Sequence, residues 1–240
     1  MNISKWPYFS EDEINEVSKV LKTGNVNAWT GDKVQTFEKD FASYINSKYA
    51  VAMANGTLAL TAAYKALNIN DEDEVITTPR TFIATSAAAV LLGAKPVFAD
   101  IDLNTGNIDP GSIKSLINKN TKCISVVHLG GWPADMHEIV KIAKDHNLKV
   151  IEDCSQAHGA LINNQSVGNF GDIATWSFCQ DKIMSTGGEG GMITTNNKEY
   201  FEKIWSLKDH GKTIFSVFEK KHPKGFAYKF LHDEFGSNFR

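Results

Sequence analysis

The chain has 240 residues, 42% of them hydrophobic, and a formal net charge of −3. That length accommodates one large or two small domains with an ample core, and the charge balance argues against a nucleic-acid-binding face. Three scattered cysteines (Cys123, Cys154, Cys179) form no C-x-x-C pair, as expected of a reducing cytoplasm. The most apolar stretch, Ala84–Leu92, is far shorter than the ~20 residues of a membrane span. The opening residues lack the apolar run of a signal peptide, so no leader is read.

Ser10 followed by E-D-E-I-N-E-V-S-K-V-L predicts an N-capped helix ending near Gly24. Glu13 stands at the capping-box spacing, and Ile14, Val17 and Leu21 make an apolar stripe. Val34, Phe37, Phe41 and Ile45 mark a second helix by the same spacing. The glycine-bracketed loop between them, G-N-V-N-A-W-T-G at 24–31, reads as a surface connector around a packed Trp29. From Lys48 the pattern becomes strand, loop and helix, repeated. Strands are expected near 49–54, 74–78, 96–100, 122–128, 149–153, 173–178 and 191–195, and helices near 57–67, 82–92, 112–118, 135–147 and 198–209. The alternation implies a three-layer α/β/α architecture around a mostly parallel seven-stranded sheet. The last strand follows its predecessor after only a short glycine loop, which favours an antiparallel neighbour because parallel strands need a longer crossover. Beyond Lys212 this rhythm stops, and the tail is aromatic: Phe215, Phe218, Phe226, Tyr228, Phe230, Phe235 and Phe239.

The chemistry concentrates where strands end. Asp153 and Gln156 follow one apolar run, and Ser177 and Lys182 follow another. In an open α/β sheet, ligands bind outside the carboxyl ends of the strands. A carboxylate and a lysine delivered there suit pyridoxal 5′-phosphate (PLP): the lysine for its aldehyde, the acid to keep its ring nitrogen protonated. Asp153 could instead cap a helix. Gly56 and Thr57 open a helix whose N-terminal N–H groups and dipole favour a phosphate, with Ser177 adding a hydroxyl. A simple capping role for Asn55 or Thr57 is the alternative. Phe82 could stack on a cofactor ring or fill an ordinary core position. Glu152 should face away from Asp153, since successive strand residues point to opposite sides. The run G-G-E-G-G at 187–191 precedes a strand, so it reads as a tight turn and not as a dinucleotide fingerprint. His128, His137, His146 and His158 lack metal-ligand spacing, and no metal is assigned.

Six motifs in order carry a resemblance. They are N-G-T-L-A-L at 55–60, P-R-T-F-I-A-T at 79–85, E-D-C-S-Q-A-H-G-A at 152–160, S-F-C-Q-D-K at 177–182, G-G-E-G-G-M at 187–192 and G-S-N-F-R at 236–240. Together they make the chain similar to the DegT/DnrJ/StrS-type nucleotide-sugar aminotransferases, fold-type I PLP enzymes. The resemblance implies that Lys182 is the Schiff-base lysine and that its being lysine, not histidine, points to transamination. It further implies Gln156 near the cofactor's 3-hydroxyl and glutamate as amino donor to a nucleotide-linked keto sugar. A cytoplasmic homodimer with shared active sites is implied, Asn238 crossing to the partner's phosphate. Family members continue into a smaller C-terminal domain. Three parts are accordingly expected: an N-terminal helix and loop at 1–30, a PLP-binding large domain at 31–211, and an aromatic connecting segment at 212–240 leading to a small domain that is absent. At such a chain end Asn238 should be poorly anchored, and the aromatics from Phe226 to Phe239 should join an exposed apolar patch. A PLP-binding regulatory homologue or an inactive fragment is the alternative reading. A nucleotide-sugar oxidoreductase is weakened by the missing G-x-G-x-x-G.

Overall fold

The computed structural model describes residues 6–221, 223–225 and 231–240. Phe226, Tyr228 and Phe230 of the aromatic tail lie outside the described residues. Two helices, α1 (Glu11–Thr23) and α2 (Lys33–Ile45), precede the sheet. Ser10 and Glu13 form the expected capping box on α1, and Gly24 ends that helix in the left-handed region at φ 73°. The α1 stripe is not a core face: Ile14, Val17 and Leu21 are exposed, and α1 buries no residue.

The strands are β1 (Tyr49–Met53), β2 (Glu74–Thr77), β3 (Lys95–Phe98), β4 (Thr121–Val127), β5 (Lys149–Asp153), β6 (Leu161–Ile162), β7 (Gln165–Ser166), β8 (Ile173–Ser177) and β9 (Gly191–Thr195). Seven form one sheet in the order β1-β9-β8-β5-β4-β2-β3, and β6 and β7 pair as a small separate hairpin. Only β9 runs antiparallel to its neighbours, as its short approach loop requires. The remaining helices are α3 (Gly56–Ala66), α4 (Ala84–Val90), α5 (Pro110–Leu116), α6 (Met136–Asp145) and α7 (Lys198–Lys208).

Alternation along each strand divides the core between two faces. Val51, Val75, Cys123, Ile151, Ile173 and Ile193 pack beneath α3, α4 and α7. Ile76, Ile124, Val126 and Val150 pack beneath α5 and α6, while Ala174, Trp176 and Phe178 meet Phe41 and Ile45 of α2. The α3 face is rich in alanine (Ala59, Ala62, Ala63 and Ala66 are buried), so this helix sits close to the strands. At the starts of α3 and β9 two glycines admit no side chain. A Cβ on Gly56 would lie 2.9 Å from Ser177 Cβ, and one on Gly191 would lie 2.5 Å from the Asn55 carbonyl carbon. The N-terminus of α3 is thereby seated directly over the ends of β8 and β9.

The C-terminal residues are tied down, contrary to the expectation that Asn238 would fray. Ala54 N–H donates to Phe239 O at 2.8 Å, Phe239 N–H to Lys208 O at 3.0 Å, and Ser237 N–H to Leu207 O at 2.9 Å. The last two of these bonds use carbonyls at the end of α7, which a helix end leaves without partners. Phe239 packs against the core beneath α3, whereas Phe215, Phe218 and Phe235 are exposed. Trp29 is the packed residue of the 24–31 loop: its Nε1 donates to the buried carboxylate of Asp209 at 2.6 Å, which also pairs with Lys212 and Arg240.

Candidate active site

A cavity of about 910 Å³ opens outside the carboxyl ends of β5 and β8. Seven of the eight residues singled out from the sequence line it: Gly56, Thr57, Phe82, Asp153, Gln156, Ser177 and Lys182. Asn238 does not; it borders a separate cavity with Val26, Met53, Lys208 and Arg240, and its Oδ1 accepts from Arg240 Nε at 3.2 Å.

The floor follows from strand alternation. Asp153 shares the α3 side of the sheet with Ile151, while Glu152 faces the other side. Asp153 is 5% exposed; its Oδ2 accepts from Thr85 Oγ1 at 2.8 Å and its Oδ1 from Ser155 N–H at 3.2 Å. Each oxygen keeps a lone pair for a further donor. A second hydroxyl, Thr81 Oγ1, lies 2.9 Å from Thr85 Oγ1, and buried Tyr64 donates to Thr85 O at 2.9 Å, fixing the start of α4 over the carboxylate. Burial pushes the Tyr64 phenol up, so it remains a donor.

At one end of the cavity is the first turn of α3. Asn55 is a true cap, accepting from Leu58 N–H at 2.9 Å, and its carbonyl takes Ala59 N–H at 3.1 Å. The cap and the anion site are therefore not alternatives, because the N–H groups of Gly56 and Thr57 remain outside that cap. Ser177 lies against Gly56, and its Oγ accepts from Cys179 N–H at 3.4 Å. Phe82 is 68% exposed at the cavity wall, which removes its reading as a core residue and leaves a free aromatic face. Gln156 is held by Gly130 N–H, which donates to its Oε1 at 2.7 Å.

Lys182 sits in a turn after β8, closed by its N–H donating to Cys179 O at 3.1 Å. Its ammonium lies 3.6 Å from Asp181 Oδ1, the oxygen to which Cys179 Sγ donates at 2.7 Å. The Cys179 thiol and then the Lys182 charge hold the Asp181 carboxyl below the usual carboxylate range. His158, packed between the rings of Trp176 and Phe178, is pushed down to about 4 by burial and then by the Lys182 charge. Sequence reasoning passed over Thr85, Cys179, Asp181 and Glu189, all of which line the cavity.

Glu152 has a different surrounding. It is completely buried, and its Oε2 meets His128 Nε2 at 3.1 Å and Gly168 N–H at 2.8 Å. Its Oε1 accepts from Phe170 N–H at 2.8 Å and Gly171 N–H at 2.7 Å. Cys154 is close enough to complete a three-residue group with ligand atoms within 4.8 Å. Four protein contacts already saturate the carboxylate, and burial followed by the Glu152 and Asp153 charges pushes the Cys154 thiol well above its usual range. With its lone pairs taken, the Glu152 carboxylate ties His128 and the 168–171 loop to β5 as a buried structural knot.

Comparison with known proteins decides the family. The family model described as the DegT/DnrJ/EryC1/StrS aminotransferase family matches residues 7–240. The chain belongs to this family. It is 46% identical over 197 residues to dTDP-3-amino-3,6-dideoxy-alpha-D-galactopyranose transaminase of Aneurinibacillus thermoaerophilus, covering 81% of this chain and 53% of that protein. An aminotransferase structure from Psychrobacter cryohalolentis superposes with a TM-score of 0.96 at 54% identity, covering 99% of this chain and 60% of that one. NtdA from Bacillus subtilis, solved with bound cofactor PMP, gives a TM-score of 0.83 at 34% identity, covering 99% and 53%. The chain thus spans about half the length of the curated relatives it matches. The sheet is that of the fold-type I transferases. No helix among the described residues is long and apolar enough to cross a membrane.

Proposed function

We propose that the protein is a PLP-dependent aminotransferase that moves an amino group, with glutamate as donor, onto a nucleotide-linked keto sugar. The observation that supports it most is the convergence of Lys182, Asp153 and the α3 N-terminus on one cavity, in a chain of this family. These groups fit the cofactor by their chemistry: an anion site, a carboxylate with acceptor capacity, an amine and an open aromatic face. Bound there, the cofactor would supply an electron sink for the carbanion at the donor's α-carbon.

The chain's own residues do the rest. Gly56, Thr57 and Ser177 hold the phosphate through N–H groups, the helix dipole and a hydroxyl. Asp153, oriented by Thr85 and Ser155, keeps the proton on the ring nitrogen. Phe82, with its exposed ring on the cavity wall, would serve as an aromatic surface for the cofactor, and Gln156 would supply it a polar contact. Lys182 Nζ would be the amine that holds the cofactor and the base that takes the proton of the donor's α-carbon. We read 31–211 as the cofactor-binding unit, 1–30 as its N-terminal helix and loop, and 212–240 as a connecting segment. In the homodimer we propose, Asn238 serves the partner's phosphate site from the rim of its own chain. The protein would work in the cytoplasm.

The test is a half-reaction. Cofactor-loaded protein mixed with glutamate should release one equivalent of 2-oxoglutarate, and the aminated protein should then convert nucleotide-linked keto sugars. Cofactor binding with no 2-oxo acid released from any amino acid would instead identify a regulatory homologue.

A further inference from the structure

We propose that Thr81 selects ligands by acting as a fixed hydrogen-bond acceptor in the Asp153 cavity. The inference rests on that cavity being the substrate site of the proposed aminotransferase. Three oxygens form a chain: Thr85 Oγ1 donates to Asp153 Oδ2 at 2.8 Å, and Thr81 Oγ1 lies 2.9 Å from Thr85 Oγ1. A hydroxyl carries one proton and two acceptor sites, whereas an ionised carboxylate only accepts. The Thr85 proton is committed to Asp153, so the proton between the two threonines must belong to Thr81. Thr81 therefore has no proton left for the cavity it lines, and can only accept there. The surroundings hold this order in place. Thr85 is buried, and Tyr64 donates to its carbonyl at 2.9 Å, which pins the start of α4.

Two hydroxyls at the α3 end of the same cavity have the opposite freedom. Ser177 Oγ accepts from Cys179 N–H at 3.4 Å and keeps its own proton to give. Thr57 Oγ1 has no protein partner among the described residues, so its proton is also free. Both stand beside the first N–H groups of α3, where an anion is favoured. Thr81 is a hydroxyl of the other polarity. A carboxylate or phosphate oxygen placed against it would meet lone pairs and no proton, which disfavours binding. An N–H or O–H placed there would gain a bond. Within the proposed reaction two ligand groups have that chemistry: the amino group of the amino-acid donor and a hydroxyl of the sugar.

The first test reads the protons directly in the cofactor-free 240-residue protein. Neutron diffraction from deuterium-exchanged crystals should place the Thr85 deuteron toward Asp153 Oδ2 and the Thr81 deuteron toward Thr85 Oγ1. A Thr81 deuteron pointing into the cavity overturns the proposal. The second test follows the two half-reactions of the cofactor-loaded protein, with glutamate and with a nucleotide-linked keto sugar. In a ping-pong enzyme, kcat/KM for one substrate reports its own half-reaction. Thr81→Val keeps the shape and removes the acceptor. It should lower kcat/KM for one substrate about fivefold more than for the other, the scale of one hydrogen bond, and mainly through KM. Thr81→Ser keeps the hydroxyl and should restore the wild-type ratio. A selective loss with glutamate identifies the amino group as the donor, and one with the sugar identifies a hydroxyl. Both values falling together, as a merely loosened wall would give, or neither changing, overturns the proposal. Absence of turnover in the wild-type protein would defeat the functional reading, and the neutron map would still decide the order of the protons.

Discussion

Glu152 and Asp153 are consecutive carboxylates on one strand, and they differ in almost every physical respect. Glu152 is sealed beneath the sheet, with three backbone N–H groups and His128 upon it. Asp153 looks into a cavity and holds two partners, with acceptor capacity in reserve. A buried polar group is stable when all its bonds are made. A functional one must keep some open. The pair shows that alternation along a strand can separate stability from chemistry within two residues.

Substitutions can test that separation. The largest effect belongs to Asp153→Asn: turnover should fall on the order of 10²–10³-fold, the scale for losing one preorganised charge interaction. Thermal stability and cofactor uptake should change little. Near-normal turnover would make Asp153 another structural acid. Glu152→Gln should do the opposite, costing about 3 kcal/mol in urea unfolding, because its amide would aim donors at backbone N–H groups. Its turnover at low temperature should survive; loss of chemistry with intact stability would erase the distinction.

His158 gives a smaller effect with a defined sign. Its folded value of about 4 lies below the ordinary 6.5, so the unfolded chain takes the proton first as pH falls. Its contribution is complete above pH 6.5 and is lost progressively toward pH 4, by up to roughly 3 kcal/mol. Wild type should therefore lose more denaturant resistance between pH 7.5 and 5 than His158→Gln does. Equal slopes would mean that the imidazole titrates normally. Smallest is Thr85→Val, which removes one hydroxyl from Asp153: a loss of about 1 kcal/mol, or roughly fivefold in turnover, is expected. Rates equal to wild type would show that Ser155 alone orients the carboxylate.

Much of this contrast was legible beforehand. The alternation I-E-D places Glu152 and Asp153 on opposite faces, and every strand of the main sheet appears within two residues of where its apolar run predicted it. Thr85 was not legible, because A-T-S-A-A-A-V reads as an ordinary small-residue helix and its partner lies 68 residues away. The β6–β7 hairpin escaped for another reason: strands of two residues carry no measurable alternation. Its only signal is Asn163-Asn164, both with positive φ, as a two-residue hairpin turn demands. The anchoring of the tail was misjudged because backbone bonds to α7 leave no trace in side-chain patterning.

The most direct measurement asks which lysine the cofactor chooses. Lys208 and Lys212 are held in ion pairs with Glu38 at 2.9 Å and Asp209 at 3.0 Å, away from the Asp153 cavity. Lys182 lines that cavity together with Asp153. After incubation with PLP and reduction with borohydride, peptide mapping should find the pyridoxyl group on the peptide containing Lys182. Lys182→Ala should abolish it with the fold intact. A pyridoxyl group found chiefly on Lys208 or Lys212 would contradict the account at its centre.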